Sequence, residues 1–246
     1  MPQPVKLRAV ITQILEHAPG LRTFVLRPDR PVPRFHPGQC LHLALDPYDP
    51  ALPWPDSRVF SIASSPEERS ELRITVSAVG VFTRRMMELG NGTDVWLKLP
   101  YGEFFVQFTG APVVLVAGGT GITPFASLLA HPAAVTAPLH VLYGARTPQL
   151  LLYRDLLERA AAANPHVTFS LFAEEGDAPG VECGRLSVAA ALAAARSLAL
   201  RACPFVPDSA SPIFYLAGPP SMLKSFQDGL AAAGTPTAAV RVDAWE

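Results

Sequence analysis

Residues 113–129 read VVLVAGGTGITPFASLL. The first five are apolar, uncharged and mostly β-branched, as in a strand buried on both faces of a parallel sheet. Gly118, Gly119 and Gly121 follow at once, and glycines at such a turn let a phosphate-bearing ligand approach the main chain. The apolar run beyond them predicts a helix over 124–130, with Pro124 in the first turn, where its missing N–H is not needed. A helix start offers unpaired N–H groups and the positive end of its dipole to an anion. The stretch is neither GxGxxG nor the lysine-bearing phosphate loop. The same glycines also serve a tight turn in any strand-to-helix connection.

Downstream the theme repeats. LHVLYGA (139–145), VTFSLFA (167–173) and IFYLAG (213–218) are further apolar strands, helical stretches follow at 149–162, 186–200 and 219–234, and AAVRVDAW (238–245) is a last strand. Apolar strands alternating with helices predict an α/β domain with a five-stranded, doubly wound parallel sheet. Ligands bind such sheets at the carboxyl ends of the strands, where the strand order reverses. On this reading the turn at Gly218 and Pro219 and the turn at 118–121 flank that reversal. Upstream, six short segments (7–15, 21–28, 39–45, 57–63, 71–78 and 94–100) are rich in β-branched or aromatic residues, and breakers such as HPGQ (36–39) and LGNGTD (89–94) separate them. Only 82–89 reads as helix. A small closed antiparallel β-barrel is predicted. The boundary falls near QFTGAP (107–112), which gives domains 1–108 and 109–246.

The 246 residues suffice for two cores. Twenty Lys and Arg against 21 Asp and Glu make no electrostatic case for nucleic acid or an anionic membrane. The most apolar stretch, 186–200, is short for a bilayer and carries Arg196. The N-terminus lacks the pattern of a signal peptide. Three cysteines, Cys40, Cys183 and Cys203, are too few for a four-thiolate cluster. A cytoplasmic protein is expected, with no membrane insertion, no nucleic-acid partner and no iron–sulfur cluster or other metal.

In SRVFSIASSP (57–66) a cation, a ring and a hydroxyl crowd one β-type segment. Alternation alone would make this a half-buried strand with an exposed Arg and a core Phe. In company with the other motifs, the chain resembles the ferredoxin–NADP⁺ reductase superfamily, whose members join a flavin-binding barrel to a nicotinamide-dinucleotide domain. RVFS (58–61) resembles its flavin motif and GVFTRRMMEL (80–89) its flavin-pyrophosphate turn and helix. GGTGITP (118–124) resembles its nicotinamide-side turn and YLAGPPSM (215–222) its Gly-Pro motif, all in the family's order. HPGQ (36–39), LPYGEF (99–104) and DAW (243–245) are supporting matches.

The resemblance implies residue roles. Arg58 would hold the flavin pyrophosphate by a charge-assisted, two-pronged contact. Val59 and Phe60 would lie against the flavin, Phe60 stacking on the isoalloxazine, while Ser61 hydrogen-bonds near N5 and the small Ala63, Ser64 and Ser65 leave room. Gly80, Val81, Phe82 and Thr83 would offer N–H groups and a hydroxyl to the pyrophosphate, although Thr83 also suits a plain helix cap. Gly119, Thr120, Gly121 and Pro124, with Gly218 and Pro219, would form the nicotinamide side. Trp245 matches the family's terminal aromatic near the flavin face and equally suits a plug of the domain interface. Ser61, Thr120 and Trp245 are the catalytic residues so implied.

Two departures from the family stand out: Ala217 where many relatives have Cys, and Phe60 where Tyr is commoner. Hydride transfer needs aligned rings more than an acid or base, so activity is expected to survive both. Arg146 is placed to meet an adenosine 2′-phosphate, with Arg154 a turn further on, whereas Glu174 and Glu175 would repel one. The balance favours NADH over NADPH. The expected protein is an oxidoreductase with FAD, favoured over FMN, that takes hydride from NAD(P)H. It would pass electrons to a separate acceptor: a ferredoxin, an oxygenase component, a cytochrome, a free flavin or a metal chelate. The alternative is a non-catalytic, flavin-binding subunit that gates electron flow in a larger complex.

Overall fold

A computed structural model describes residues 3–201 and 211–243. The chain divides into two compact units, Met1–Phe105 with Thr123–Ser127, and Val106–Ile122 with Leu128–Glu246. The first holds strands β1 (Val5–Ala18), β2 (Leu21–Pro28), β3 (Cys40–Ala44), β4 (Ser57–Ser61), β5 (Leu72–Ser77) and β6 (Asp94–Tyr101), with helix α1 (Val81–Met86) between the last two. They pair antiparallel in the order β4-β3-β6-β1-β2-β5. Register shifts between Ile11 and Gln13 and between Glu16 and Ala18 mark bulges in β1, which tighten the twist and help the sheet to curl. Its two outer strands meet beyond β4: Ala63 N–H donates to Arg73 O at 2.8 Å and Arg73 N–H to Ser64 Oγ at 3.2 Å. The β3 ladder therefore ends at Ser61, and the rest of the predicted segment closes the barrel instead. Phe24, Leu26, Leu41, Ile62 and Leu97 fill the interior with no exposure. Buried Gln39 fastens the HPGQ turn to the LPYGEF segment, accepting from His36 N–H at 2.8 Å and donating to Gly102 O at 3.0 Å.

The second unit contains β7 (Val113–Gly118), β8 (Leu139–Ala145), β9 (Val167–Ala173), β10 (Val181–Cys183), β11 (Ile213–Ala217) and β12 (Val240–Val242). Helix α2 (Thr123–Leu129) follows β7, its Thr123–Ser127 belonging to the first unit, and α3 (Arg154–Ala163), α4 (Val188–Arg201) and α5 (Pro220–Ala232) alternate with the later strands. Every strand pair is parallel, in the order β10-β9-β8-β7-β11-β12. The order reverses between β7 and β11, where the sequence placed it, and Ala117 stands opposite Ala217. Val114, Val116, Leu142, Phe214 and Leu216 meet Leu198 of α4 and Phe226 and Leu230 of α5 on one face. Leu115, Val141 and Tyr143, which alternate with them, are equally buried on the other. That double burial is why these strands carry no polar alternation.

Three elements differ from the expected ones. The sheet has six strands rather than five: β10 is three residues long and largely exposed, with no apolar run to announce it. Helix α3 begins at Arg154 instead of 149. The buried Tyr143 hydroxyl donates to Leu150 O at 3.2 Å and accepts Leu152 N–H at 3.0 Å, folding the stretch into a 3-10 turn at Pro148–Leu150 and a left-handed Tyr153 with φ 59°. Burial pushes the Tyr143 phenol above its usual range, so it stays a neutral donor. The last strand covers only Val240–Val242, because Thr237–Ala239 turn as 3-10. Among the described residues no helix is long and apolar enough to cross a membrane.

Candidate functional site

In the barrel, β4 turns Arg58 outward. Its Nη1 donates to Asp56 Oδ1 at 2.6 Å and Ser57 O at 2.8 Å, and its guanidinium carbon lies 5.2 Å from the centre of the Phe82 ring. Phe82 belongs to α1 and to the barrel core, so two motifs 24 positions apart in sequence come together at one cation. Phe60 is half-buried at the edge of that core, Val59 pairs with His42, and Ser61 is 9% exposed. Burial, and then the charge of Lys98, hold His42 below the usual histidine range. Ala63 and Ser64 lie inside the barrel closure, and Ser64 O accepts the Ser127 hydroxyl at 2.7 Å, so their small size serves packing.

Thr83 caps α1. Its hydroxyl accepts N–H from Val79 and Gly80, each at 3.0 Å, and donates to Gly80 O at 3.1 Å. The first-turn N–H groups of Val81, Phe82 and Thr83 have no acceptor within the helix, and beside them Gly80 is open, with nothing within 4 Å of where a methyl would stand. Arg85 anchors the helix to Asp46 at 2.5 Å and holds that carboxyl below the usual carboxylate range. The Pro-rich 46–55 connection is tied down as well: Tyr48 and Trp54 rings lie 5.1 Å apart, and Lys6 Nζ donates to the Tyr48 hydroxyl at 2.6 Å.

In the second unit a cavity of about 520 Å³ opens at the carboxyl ends of β7, β8, β9 and β11. Gly118, Gly119, Arg146, Glu174, Pro219 and the α5 residues Ser221, Met222 and Ser225 are among its lining. The glycines divide by role. Gly119 has φ +53° and open space where a side chain would stand, whereas a methyl on Gly121 would meet Ala217 O at 2.2 Å. Gly121 thus lets the two Gly-rich turns pack backbone against backbone. Met222 Sδ would lie 2.6 Å from a methyl on Gly118, so the thioether closes over the turn next to Gly218. Thr120 is half-buried in the 3-10 turn Gly119–Ile122, and Pro124 is buried in the first turn of α2. Ala217 is fully buried.

Arg146 lines the cavity, but Arg154 does not; it is held by Glu158 Oε1 and Pro179 O, both at 2.8 Å. Arg185, which the sequence reading passed over, lines the cavity with its Nε 3.0 Å from Glu174 Oε2. Only β10, itself invisible in the sequence, brings it there. Trp245 lies outside the described residues.

Residues 115–228 match the model of the oxidoreductase NAD-binding domain family. The NAD(P)H-flavin reductase of Aliivibrio fischeri is 30% identical over 164 residues, covering 62% of this chain and 66% of that protein. The reductase component DmpP of phenol 2-monooxygenase from Pseudomonas sp. strain CF600 is 28% identical over 170 residues, covering 66% of this chain and 46% of that protein. The chain spans about half the length of the curated relatives it matches, 41%, 45% and 55% in three of them. A ferredoxin NADP⁺ reductase of Neisseria gonorrhoeae, solved with bound FAD and NADP, has the same fold, with a TM-score of 0.74 at 20% identity over 99% of each chain. Residues 115–228 thus belong to the oxidoreductase NAD-binding domain family, and the chain as a whole has the fold of a ferredoxin NADP⁺ reductase.

Proposed function

We propose that the chain is a flavin-dependent NAD(P)H oxidoreductase, with a flavin-binding domain over 1–108 and a nucleotide-binding domain over 109–246. The observation that carries this reading is the cavity at the strand-order reversal, floored by Gly118 and Gly119 and flanked by Arg146. That is where an open parallel sheet takes a dinucleotide, and the family match over 115–228 supports it. The barrel's donor set fits FAD: a cation on an aromatic face beside an open glycine and the free amides of α1 suits a pyrophosphate. When bound, FAD supplies a hydride acceptor that releases electrons singly or in pairs.

The chain's own residues bind and orient. Arg58 places positive charge for the pyrophosphate, and its exposed pair with Asp56 exchanges at little cost. Phe60 offers a flat apolar face, and Ser61 a hydroxyl at the end of β4. Thr83 fixes the backbone of its turn rather than donating its own hydroxyl outward. Thr120, at the nucleotide turn, and Trp245 complete the proposed set around the reacting rings. The acceptor would be a separate protein or small molecule, as for a monooxygenase reductase component, and a cytoplasmic location belongs to the same proposal.

Anaerobic addition of NADH or NADPH to the purified, FAD-loaded protein tests the reading. Bleaching of the flavin absorbance supports it. A flavin that stays oxidised with both nucleotides refutes the reductase function and leaves a gating role, and a protein that takes up no FAD refutes the flavin site.

A further inference from the structure

We propose that the barrel carries a second ligand site, on the outer face of β1, β2 and β5, that takes an acidic amino acid. An open pocket of about 390 Å³ lies there, lined by Thr12, Arg27, Asp29, Arg30, Ser70 and Glu71, and small-molecule pockets begin at about 300 Å³. The site shares no residue with the flavin motifs or with the nucleotide cavity. Ser70 and Glu71 precede β5, whereas Gly80–Thr83 follow its other end.

Arg27 and Asp29 stand two positions apart, a spacing that puts side chains on one side of an extended segment. Arg73 and Glu71 have the same spacing and pair, with Nη2 3.1 Å from Oε1. Arg27 and Asp29 do not pair. Nor does Arg27 take Glu71, although the β2–β5 register, Leu26 against Leu72, makes them the next cross-strand neighbours and opposite charges there attract. Among the described residues neither the Arg27 guanidinium nor the Asp29 carboxylate has a polar partner. Arg30 is anchored by one nitrogen, Nη2 donating to Lys6 O at 3.1 Å, and its guanidinium keeps another edge for a carboxylate. The charges open to a ligand are thus two cations and one anion. Two carboxylates and one ammonium complement them, which is the charge set of an acidic amino acid. Arginine meets a carboxylate through two parallel N–H bonds, and Asp29 accepts from the ammonium.

Local structure fixes the walls before any ligand arrives. The bulge between Ile11 and Gln13 leaves Thr12 out of the β1–β2 register and re-aims its side chain, whose hydroxyl donates to Val25 O at 3.2 Å. Asp29 N–H donates to Arg8 O at 2.8 Å, so the chain continues along β1 past the end of β2. Beyond it, Val32 N–H donates to Arg69 O at 2.9 Å and Arg69 Nε to Val32 O at 2.7 Å. That double bond clamps the 28–32 segment against the one that enters β5, and Pro28 and Pro31, both in the lining, stiffen it further. A preformed pocket loses less freedom on binding.

Calorimetric titration of the full-length protein with L-glutamate tests the proposal, with glutarate, 4-aminobutyrate and inorganic phosphate as comparisons. L-glutamate is expected to bind with a Kd of about 1 mM or tighter. Its affinity should exceed at least about tenfold that of glutarate, which lacks the ammonium, and of 4-aminobutyrate, which lacks one carboxylate. Arg27→Ala should remove about ten- to a hundredfold of the L-glutamate affinity. Asp29→Asn should do the same for L-glutamate while leaving glutarate binding equal or stronger. FAD affinity, read by fluorescence titration, should stay unchanged in both variants. No binding of L-glutamate at about 10 mM, or glutarate or phosphate bound as tightly as L-glutamate, would overturn the inference. So would an affinity unaffected by Arg27→Ala, or an equal loss of FAD affinity in that variant.

Discussion

Replacing Gly121 by alanine isolates the contact that joins the two Gly-rich turns. The new methyl would stand 2.2 Å from Ala217 O, 2.4 Å from Ala217 C and 2.6 Å from Gly218 Cα, where ordinary contact begins near 3.4 Å. All three atoms are backbone, so no side chain can swing away and the turn must retreat by roughly 1 Å. Retreat is opposed by the β7–β11 ladder, which pairs Ala117 with Ala217 immediately before both turns. Overpacking of this kind costs about 1–3 kcal/mol, and a fixed backbone places it near 3. For a chain of this size that is a fall in Tm of roughly 6–12 °C in the transition of the nucleotide-binding unit. Gly119→Ala is the control. It meets no neighbour, and its φ of +53° alone costs about 1–2 kcal/mol, yet its methyl projects from the cavity floor. Scanning calorimetry and nucleotide titration on both variants should find the larger Tm loss in Gly121→Ala and the larger loss of affinity per degree in Gly119→Ala. Equal Tm values for Gly121→Ala and the parent protein would refute the close approach of the turns.

Other perturbations follow from the same geometry. Arg58→Ala removes an exposed pair worth at most about 1 kcal/mol, so the apoprotein's Tm should hardly change while FAD affinity falls about ten- to a hundredfold by fluorescence titration; unchanged affinity would remove Arg58 from the flavin site. Tyr143→Phe removes the hydroxyl that bridges Leu150 O and Leu152 N–H; since Leu152 N–H keeps Leu150 O at 2.9 Å, the cost in urea unfolding should be only about 0.5–1.5 kcal/mol, with weaker nucleotide binding through the Arg146-bearing loop. His42 has a folded-state pKa below its unfolded value of 6.5, so its neutral form favours folding, and that contribution, present above pH 6.5, is lost as pH falls through the folded value. His42→Asn should accordingly flatten the decline in barrel stability between about pH 7.5 and 5; an identical slope in the variant would assign the decline to other groups.

What was legible in the sequence follows burial. β7, β8, β9 and β11 announce themselves because both faces are covered, so their composition is apolar throughout. β10 is exposed and three residues long, and hydrophobic periodicity carries no information about it. The start of α3 was misplaced for another reason: 149–153 has helical apolar spacing, but one buried hydroxyl from β8 captures two backbone groups there. A tertiary hydrogen bond overrides local pattern, and nothing local records it. The glycines were legible as a set and not by role, since their spacing is the same whether a glycine faces a ligand, as Gly119 can, or another backbone, as Gly121 does.

Side-chain pairing explains the remaining differences, and it takes the same form in each unit. Arg58 and Arg185 both lie on the surface with an exposed carboxylate at hand, Asp56 at 2.6 Å and Glu174 at 3.0 Å. Such pairs contribute about 0–1 kcal/mol each in water, whereas a hydrogen bond to a charged partner contributes about 1.5–3 kcal/mol. A phosphate therefore displaces or shares the carboxylate with a net gain, and the carboxylate in the meantime restricts the rotamers of a long side chain that would otherwise lose that freedom on binding. In the fold Glu174 faces Arg185 and Asp56 faces Arg58, so each acid restricts a neighbouring arginine.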